Sequence, residues 1–133
     1  MLGEAGVERV NFDTRGLFAT QATDDLTRDA LRKKPRVPVW FTAIGRRPFV
    51  RFVGDPEIGK NEAILREWAG VLARWTGEGR TPFFFAHHPD DGLAPALARR
   101  LHDTVYALAP VVGAPPIWPS EAERRPAAQL DLF

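Results

Sequence analysis

The sequence PFFFAH, from Pro82 to His87, is the clearest indication of how this chain folds. It is an almost continuous apolar run, which is typical of a parallel β-strand covered on both faces. Two further strand-like stretches precede it, namely ERVNFD over Glu8 to Asp13 and PFVRFV over Pro48 to Val53. Their apolar residues recur with the spacing of strands. We therefore expect three parallel strands.

Helical periodicity fills the intervals between these strands. Val37 to Ile44 is extended but interrupted by prolines. The apolar stripe of the central helix includes Trp68 and Trp75, whose rings we expect in the core rather than against a cofactor. The predicted helices run from Asp24 to Lys33 after a Thr23 N-cap, from about Glu62 to Thr76 after an Asn61 N-cap, and from about Pro95 to Leu108. Strands that alternate with helices predict an α/β fold built from β/α units.

The composition limits the classes of protein to which this chain can belong. The 133 residues, 44% hydrophobic and 26% charged, suit one soluble globular domain. Eighteen basic and seventeen acidic side chains give a net charge of +1, so we expect any DNA contact to be local or indirect through a partner. The absence of cysteine excludes disulfides and thiolate chemistry and favours a cytoplasmic location. No apolar run approaches the ~18 to 20 residues that span a bilayer, so we expect no membrane partner.

Several motifs carry a resemblance to a known family. They are Asn11-Phe12-Asp13-Thr14-Arg15, Pro48 to Asp55 (PFVRFVGD), the Trp68 helix, and Phe84 to Asp91 leading into Ala94-Pro95. In this order they resemble the C-terminal part of the YecE-like family, catalogued as domain of unknown function 72, over residues 2 to 108. The resemblance implies the C-terminal portion of a TIM-like (β/α) barrel, incomplete in this chain because family members are about twice as long. A truncated chain, a late start codon or a partner chain would each explain the missing strands.

The resemblance and the composition divide the chain into two regions. Residues 1–108 are predicted to form a partial β/α-barrel domain. Residues 109–133 begin with a proline-rich stretch without periodicity, so we expect a flexible, disordered tail. Unpaired edges of an incomplete sheet predict a homodimer or pairing with the missing barrel half.

Polar residues near the predicted strand ends are the catalytic candidates, because β/α barrels place their working groups there. The candidates are Asp13, Arg15, Arg51 and His87. Two guanidiniums beside one carboxylate would hold a phosphate group, which predicts a metal-assisted phosphodiesterase or related hydrolase once the barrel is complete. The alternative is a structural ion pair.

The run His87-His88-Pro89-Asp90-Asp91 is a candidate metal site. Imidazole and carboxylate groups bind zinc or manganese, and such a divalent metal activates water for hydrolysis. Adjacent strand residues face opposite sides, so only one of the two histidines can face a barrel mouth. The alternative is that Asp90 or Asp91 caps the last helix.

The final pentapeptide, QLDLF from Gln129 to Phe133, matches the bacterial sliding-clamp-binding motif at every position: Gln129, Leu130, Asp131, Leu132 and Phe133. The last two side chains would fill an apolar pocket, and the glutamine would supply directional hydrogen bonds. The alternative is that the apolar residues fold back onto the domain. The motif predicts a clamp-associated protein of DNA replication or repair. The other function class is a non-catalytic interaction module or an inactive fragment of a YecE-like barrel protein.

Overall fold

A computed structural model of the chain describes residues 9–18, 25–33 and 39–119. Within these ranges three strands form one sheet: β1 (Val10–Asp13), β2 (Phe49–Val53) and β3 (Phe83–His87). They are parallel, lie in the order β1-β2-β3, and align Asp13 with Phe52 and Phe52 with Ala86. The predicted parallel strands and the mixed α/β class are therefore confirmed.

In the described part of the chain, four α-helices accompany the sheet. No helix among the described residues is long and apolar enough to cross a membrane. The helices are α1 (Arg15–Phe18), α2 (Asp25–Lys33), α3 (Glu62–Gly77) and α4 (Ala94–Leu108), with 3-10 turns at Ile58–Asn61, Asp91–Leu93 and Pro110–Val112. The three longer helices were predicted at nearly these bounds, whereas the single turn α1 was not. The predicted cap Thr23 lies outside the described residues.

The hydrophobic core lies between one face of the sheet and helices α3 and α4. Trp68 is completely buried, and its ring lies 4.7 Å from that of Phe41 and 5.9 Å from that of Phe84. Trp75 is also buried, which confirms that both indoles belong to the core. The segment 39–44, which has no regular secondary structure, contributes Val39, Phe41 and Ala43 to the edge of this core.

The second face of the sheet is not fully covered, contrary to the expectation for PFFFAH. Val10 is 50% exposed, Phe83 41% and Phe85 46%. The Phe49 ring stacks against Phe83 at 5.2 Å and against Phe85 at 5.8 Å. A nearly continuous apolar run is compatible with a strand packed on one face or on both faces. Its periodicity therefore does not distinguish these two arrangements. We call the surface formed by Val10, Phe12, Phe49, Arg51, Phe83 and Phe85 the open sheet face.

The residues that follow α4, beyond the predicted boundary after residue 108, contact that helix. Beyond α4 the chain folds back onto that helix: the Arg99 Nη2 donates to the Pro116 carbonyl oxygen at 2.6 Å. The Arg99 guanidinium also lies 4.9 Å from the centre of the Trp118 ring, and His102 Nε2 lies 2.8 Å from the Gly113 carbonyl oxygen. These contacts place the first part of the predicted tail, at least to Trp118, on the domain. Residues 120–133 lie outside the described residues.

Candidate functional site

Asp13, a predicted catalytic residue, lies at the carboxyl end of β1 and is completely buried. Its carboxylate accepts the Trp68 Nε1–H at 2.7 Å and the Arg15 backbone N–H at 3.0 Å. It also accepts the Arg15 Nε–H at 3.1 Å and an Nη2–H at 2.9 Å. Both carboxylate oxygens are therefore occupied by donors from within the domain. This arrangement fixes Arg15 and the Trp68 indole rather than leaving a base open to substrate.

Arg15 lies between two carboxylates. On its outer side, Nη1 lies 3.0 Å from Glu67 Oε1, and the guanidinium covers the Phe41 ring at 5.4 Å. The hydrogen bond to Asp13 raises the pKa of Arg15, an effect that partial burial opposes and Glu67 reinforces. One guanidinium between two carboxylates does not provide net positive charge for a phosphate. The geometry favours the structural ion pair over the anion site.

The short helix α1 explains why Arg15 reaches back to Asp13. The chain turns immediately after β1, and the Phe18 N–H donates to the Thr14 carbonyl oxygen at 3.0 Å. The guanidinium is thereby folded over the carboxylate of the preceding strand.

Arg51 does not join this cluster. In the parallel register Arg51 pairs with Phe12, while Asp13 pairs with Phe52. Successive strand residues point to opposite faces, so Arg51 lies on the open sheet face and Asp13 on the face covered by helices. The Arg51 guanidinium lies 5.6 Å from the centre of the Phe12 ring. The predicted pair of guanidiniums around one carboxylate is therefore not formed.

Asn61 organises the loop between β2 and α3. Its Oδ1 accepts the Asp55 N–H at 2.7 Å, and its Nδ2 lies 3.1 Å from the Asp55 carbonyl oxygen. The same amide nitrogen lies 3.2 Å from the Ile58 carbonyl oxygen. Asn61 does occupy the N-cap position, but its side chain does not cap α3 as predicted. It holds the loop instead, a role that residue type and position alone did not reveal.

Two glycines make room for this amide. A Cβ atom on Gly16 would lie 2.9 Å from Asn61 Oδ1 and 2.9 Å from the Asp55 backbone nitrogen. A Cβ atom on Gly54 would also lie 2.9 Å from Asn61 Oδ1, and 3.0 Å from Leu97 Cδ1. The β1–α1 turn and the end of β2 thus meet at Asn61 without space for a side chain.

His88 joins the two loops at this edge of the sheet. Its Nε2 lies 2.7 Å from the Pro56 carbonyl oxygen, and its Nδ1 accepts the Asp90 N–H at 2.8 Å. A carbonyl oxygen only accepts, so Nε2 is the donor in the contact with Pro56. Asp90 accepts the Gly92 N–H at 3.0 Å and so caps the 3-10 turn that precedes α4, whereas α4 itself has no side-chain cap, contrary to the alternative for Asp90 or Asp91.

The candidate metal ligands do not form a cluster. No group of three or more His, Asp or Glu side chains capable of holding a metal ion occurs among residues 9–18, 25–33 and 39–119. His88 uses both ring nitrogens in hydrogen bonds. His87 lies at the end of β3 and is only partly buried. Like His88, it already has a polar or ring partner within the protein. The structure thus does not bring His87, His88, Asp90 and Asp91 together as a metal site.

A cavity of about 310 Å³ lies at the carboxyl edge of the sheet, between α2 and the two loops. The ionisable groups in its lining are Asp25, His88 and Asp90. All three already have partners, since the Asp25 carboxylate pairs with Arg28 at 3.0 Å. The predicted clamp-binding residues Gln129 to Phe133 lie outside the described residues.

Comparisons with known proteins agree with the resemblance. The model of the family "Protein of unknown function DUF72" matches residues 1–122. The chain is 35% identical to UPF0759 protein YecE of Escherichia coli strain K12 over 121 residues, 91% of this chain and 44% of that protein. The corresponding protein of Escherichia coli O157:H7 is 34% identical over 121 residues, again 44% of its length. The chain therefore spans less than half the length of these curated relatives. No solved structure matches. This chain belongs to the DUF72 family of proteins of unknown function.

Proposed function

We propose that this chain is a non-catalytic recruitment module of DNA replication or repair, which binds the bacterial sliding clamp through Gln129 to Phe133. The observation that carries the proposal is the complete match of this pentapeptide to the clamp-binding motif. Leu132 and Phe133 supply adjacent apolar anchors of the kind that dominate small interfaces, and Gln129 adds directional hydrogen bonds. Recruitment through the clamp would bring the protein to DNA despite its net charge of +1.

The non-catalytic class is preferred to the phosphodiesterase because of how the candidate catalytic residues are used. Both carboxylate oxygens of Asp13 already accept hydrogen bonds, and two carboxylates balance the positive charge of Arg15. Arg51 lies on the other face of the sheet. His88, a candidate metal ligand, uses both ring nitrogens in hydrogen bonds with backbone groups. Asp13, Arg15 and His88 are thus held by groups within the domain, and Arg51 does not converge with them on a common point where a substrate could react.

We propose further that the domain is an arc of a (β/α) barrel. The strands are neighbours in chain order, and α3 and α4 both pack on the same face. An open doubly wound sheet places helices on both faces, whereas a barrel keeps them outside. One-sided packing of consecutive parallel strands supports the barrel arrangement.

Binding of a fluorescent peptide spanning Ser120 to Phe133 to a purified bacterial sliding clamp tests the recruitment proposal. We expect micromolar or tighter binding, about −8 kcal/mol, that is abolished by Leu132→Ala combined with Phe133→Ala. The full chain should bind equally well and lose binding with the same double substitution. Ile117→Ala, at an exposed apolar residue of the described domain, is the matched control and should have no effect. Failure of both peptide and full chain to bind would contradict the proposal and favour fold-back of the apolar residues.

A further inference from the structure

Four arginines lie at the amino edge of the sheet, where the three parallel strands begin. Arg9 directly precedes β1, Arg46 and Arg47 precede β2, and Arg80 precedes β3. The first residues of the three strands are partners in the register, so the strands begin level with one another. Because neighbouring strands lie about 4.8 Å apart, the four arginines belong to a stretch of edge whose strands span only about 10 Å.

Contacts between two loops hold these arginines in place. The Thr81 N–H donates to the Arg46 carbonyl oxygen at 2.7 Å, and Arg80 Nη1 donates to the Gly45 carbonyl oxygen. The loops before β2 and β3 are therefore joined, and they present their arginines together. We call the surface formed by Arg9, Trp40, Arg46, Arg47 and Arg80 the basic edge.

Most of the positive charge of the basic edge is not balanced by neighbouring carboxylates. Arg46 and Arg47 are exposed, and neither forms an ion pair with a described residue. Arg80 pairs with Glu78 at 3.2 Å, and Glu78 is the one acidic residue in the described segments 9, 39–48 and 78–82 that lead into the strands. At the carboxyl edge acidic side chains predominate, namely Asp13, Asp55, Glu57, Asp90 and Asp91. The net charge of +1 therefore combines a positive edge with a negative edge.

An exposed indole lies within this positive surface. Trp40 is 50% exposed, and the Arg9 guanidinium lies 5.1 Å from the centre of its ring. The segment that carries Trp40 is attached to β1, since the Thr42 N–H donates to Asn11 Oδ1 at 3.2 Å. Surfaces that bind single-stranded nucleic acid combine basic side chains along the phosphates with aromatic rings on which bases stack. The basic edge has both components.

We propose that the basic edge binds single-stranded DNA. Arg46 and Arg47 bind phosphates, because a guanidinium can donate to two phosphate oxygens at once, and the exposed part of Trp40 stacks on a base. A duplex offers phosphates but keeps its bases inside the stack, so it leaves the indole without a partner. The choice of DNA rests on the proposed recruitment to the sliding clamp, whereas the binding surface does not include Gln129 to Phe133.

Fluorescence anisotropy of a labelled oligothymidine of about 20 nucleotides, titrated with the full chain at about 50 mM salt, tests the proposal. Arg46→Gln combined with Arg47→Gln should weaken binding about tenfold or more. The matched control combines Arg66→Gln with Arg100→Gln and should change the affinity less than about twofold. Both control arginines are exposed and pair with Glu62 on the helices, so the same charge is lost away from the basic edge.

The salt dependence separates phosphate contacts from stacking. Each phosphate contact on a single strand contributes about 0.7 to the slope of log K against log salt, so the Arg46 and Arg47 double variant should have a slope smaller by about 1.4. Trp40→Leu should weaken binding about fivefold or more with an unchanged slope, because it removes stacking and no charge. Trp40→Phe keeps a ring and should bind more tightly than Trp40→Leu. Thermal unfolding followed by circular dichroism checks that each variant is folded.

The outcomes distinguish this proposal from clamp recruitment. No binding by the unsubstituted chain, or equal losses in the two double arginine variants, would overturn the basic edge as a DNA site. A duplex of the same length that competes equally well, with no effect of Trp40→Leu, would overturn the single strand in favour of duplex DNA. Tighter binding of oligouridine would overturn the assignment to DNA. Leu132→Ala combined with Phe133→Ala should leave oligothymidine binding unchanged, and a loss there would place the site outside the basic edge.

Discussion

Replacement of Asp13 by asparagine should destabilise the domain strongly. The Asp13 carboxylate accepts hydrogen bonds from Trp68 Nε1 at 2.7 Å and from Arg15 Nε and Nη2. Asparagine offers one oxygen and an amide NH₂ group, so at least one buried donor would face another donor. A hydrogen bond to a charged group contributes about 1.5–3 kcal/mol, and breaking a fully buried ion pair costs about 3–5 kcal/mol.

We expect Asp13→Asn to lower the free energy of unfolding by about 2–4 kcal/mol. This is less than the cost of breaking a fully buried ion pair, because the Arg15 side chain is 37% exposed and water can solvate part of it. Urea unfolding of the full chain, followed by the fluorescence of the buried Trp68 and Trp75, measures this cost. Glu67→Gln removes the outer, half-exposed partner of Arg15 and should cost less than about 1 kcal/mol.

A double-mutant cycle assigns the cost to the buried contact. Trp68→Phe removes the indole donor, and its effect should couple with Asp13→Asn by about 1 kcal/mol or more, since the two groups are in direct contact. The reasoning is refuted if Asp13→Asn costs no more than Glu67→Gln and the two buried substitutions add without coupling.

Two further predictions concern packing and pH. Gly16→Ala should lower the free energy of unfolding by about 1–3 kcal/mol, because its Cβ would clash with the Asp55 backbone and the Asn61 amide. Gly70→Ala is the control: its Cβ would have open space in α3, so it should stabilise the domain by up to about 1 kcal/mol. Thermal unfolding compares the two, and equal effects would contradict the tight approach. The hydrogen bond from Lys33 lowers the pKa of Asp29 below its ordinary value of 3.8, so this pair stabilises α2 above that pH and the contribution is lost as the pH falls through the lowered pKa. Lys33→Gln should raise the pKa of Asp29 towards 3.8 in an NMR titration of its carboxyl carbon, and an unchanged pKa would exclude the pairing.

Local patterns predicted the regular elements well. The stripe that includes Trp68 and Trp75 is a property of consecutive residues, and it predicted both the bounds of α3 and its buried side. The strand Pro48 to Val53 was predicted within one residue because its apolar spacing is short and well bounded.

Features that depend on contacts between distant segments were not predicted. Arg15 and Arg51 were both expected near Asp13 because they follow or lie in strands, but the register of β1 and β2 puts Arg51 on the face of the sheet opposite to Asp13. Asn61 was predicted as a helix cap, a local role, whereas its partners were fixed by how the β2–α3 loop closes. The fold-back of Pro116 and Trp118 onto α4 has no periodic signal, since it consists of single polar and ring contacts.

The loop held by Asn61 has a consequence for the entropy of ligand binding. Freezing a mobile loop costs about 1–2 kcal/mol per residue in backbone conformational entropy, and a ligand that orders such a loop binds more weakly by that amount. Here the amide of Asn61 orders residues 55–58 when the domain folds. A molecule that binds at this edge therefore meets a loop that is already in place. Substitution of Asn61 would weaken its binding without removing any contact with it.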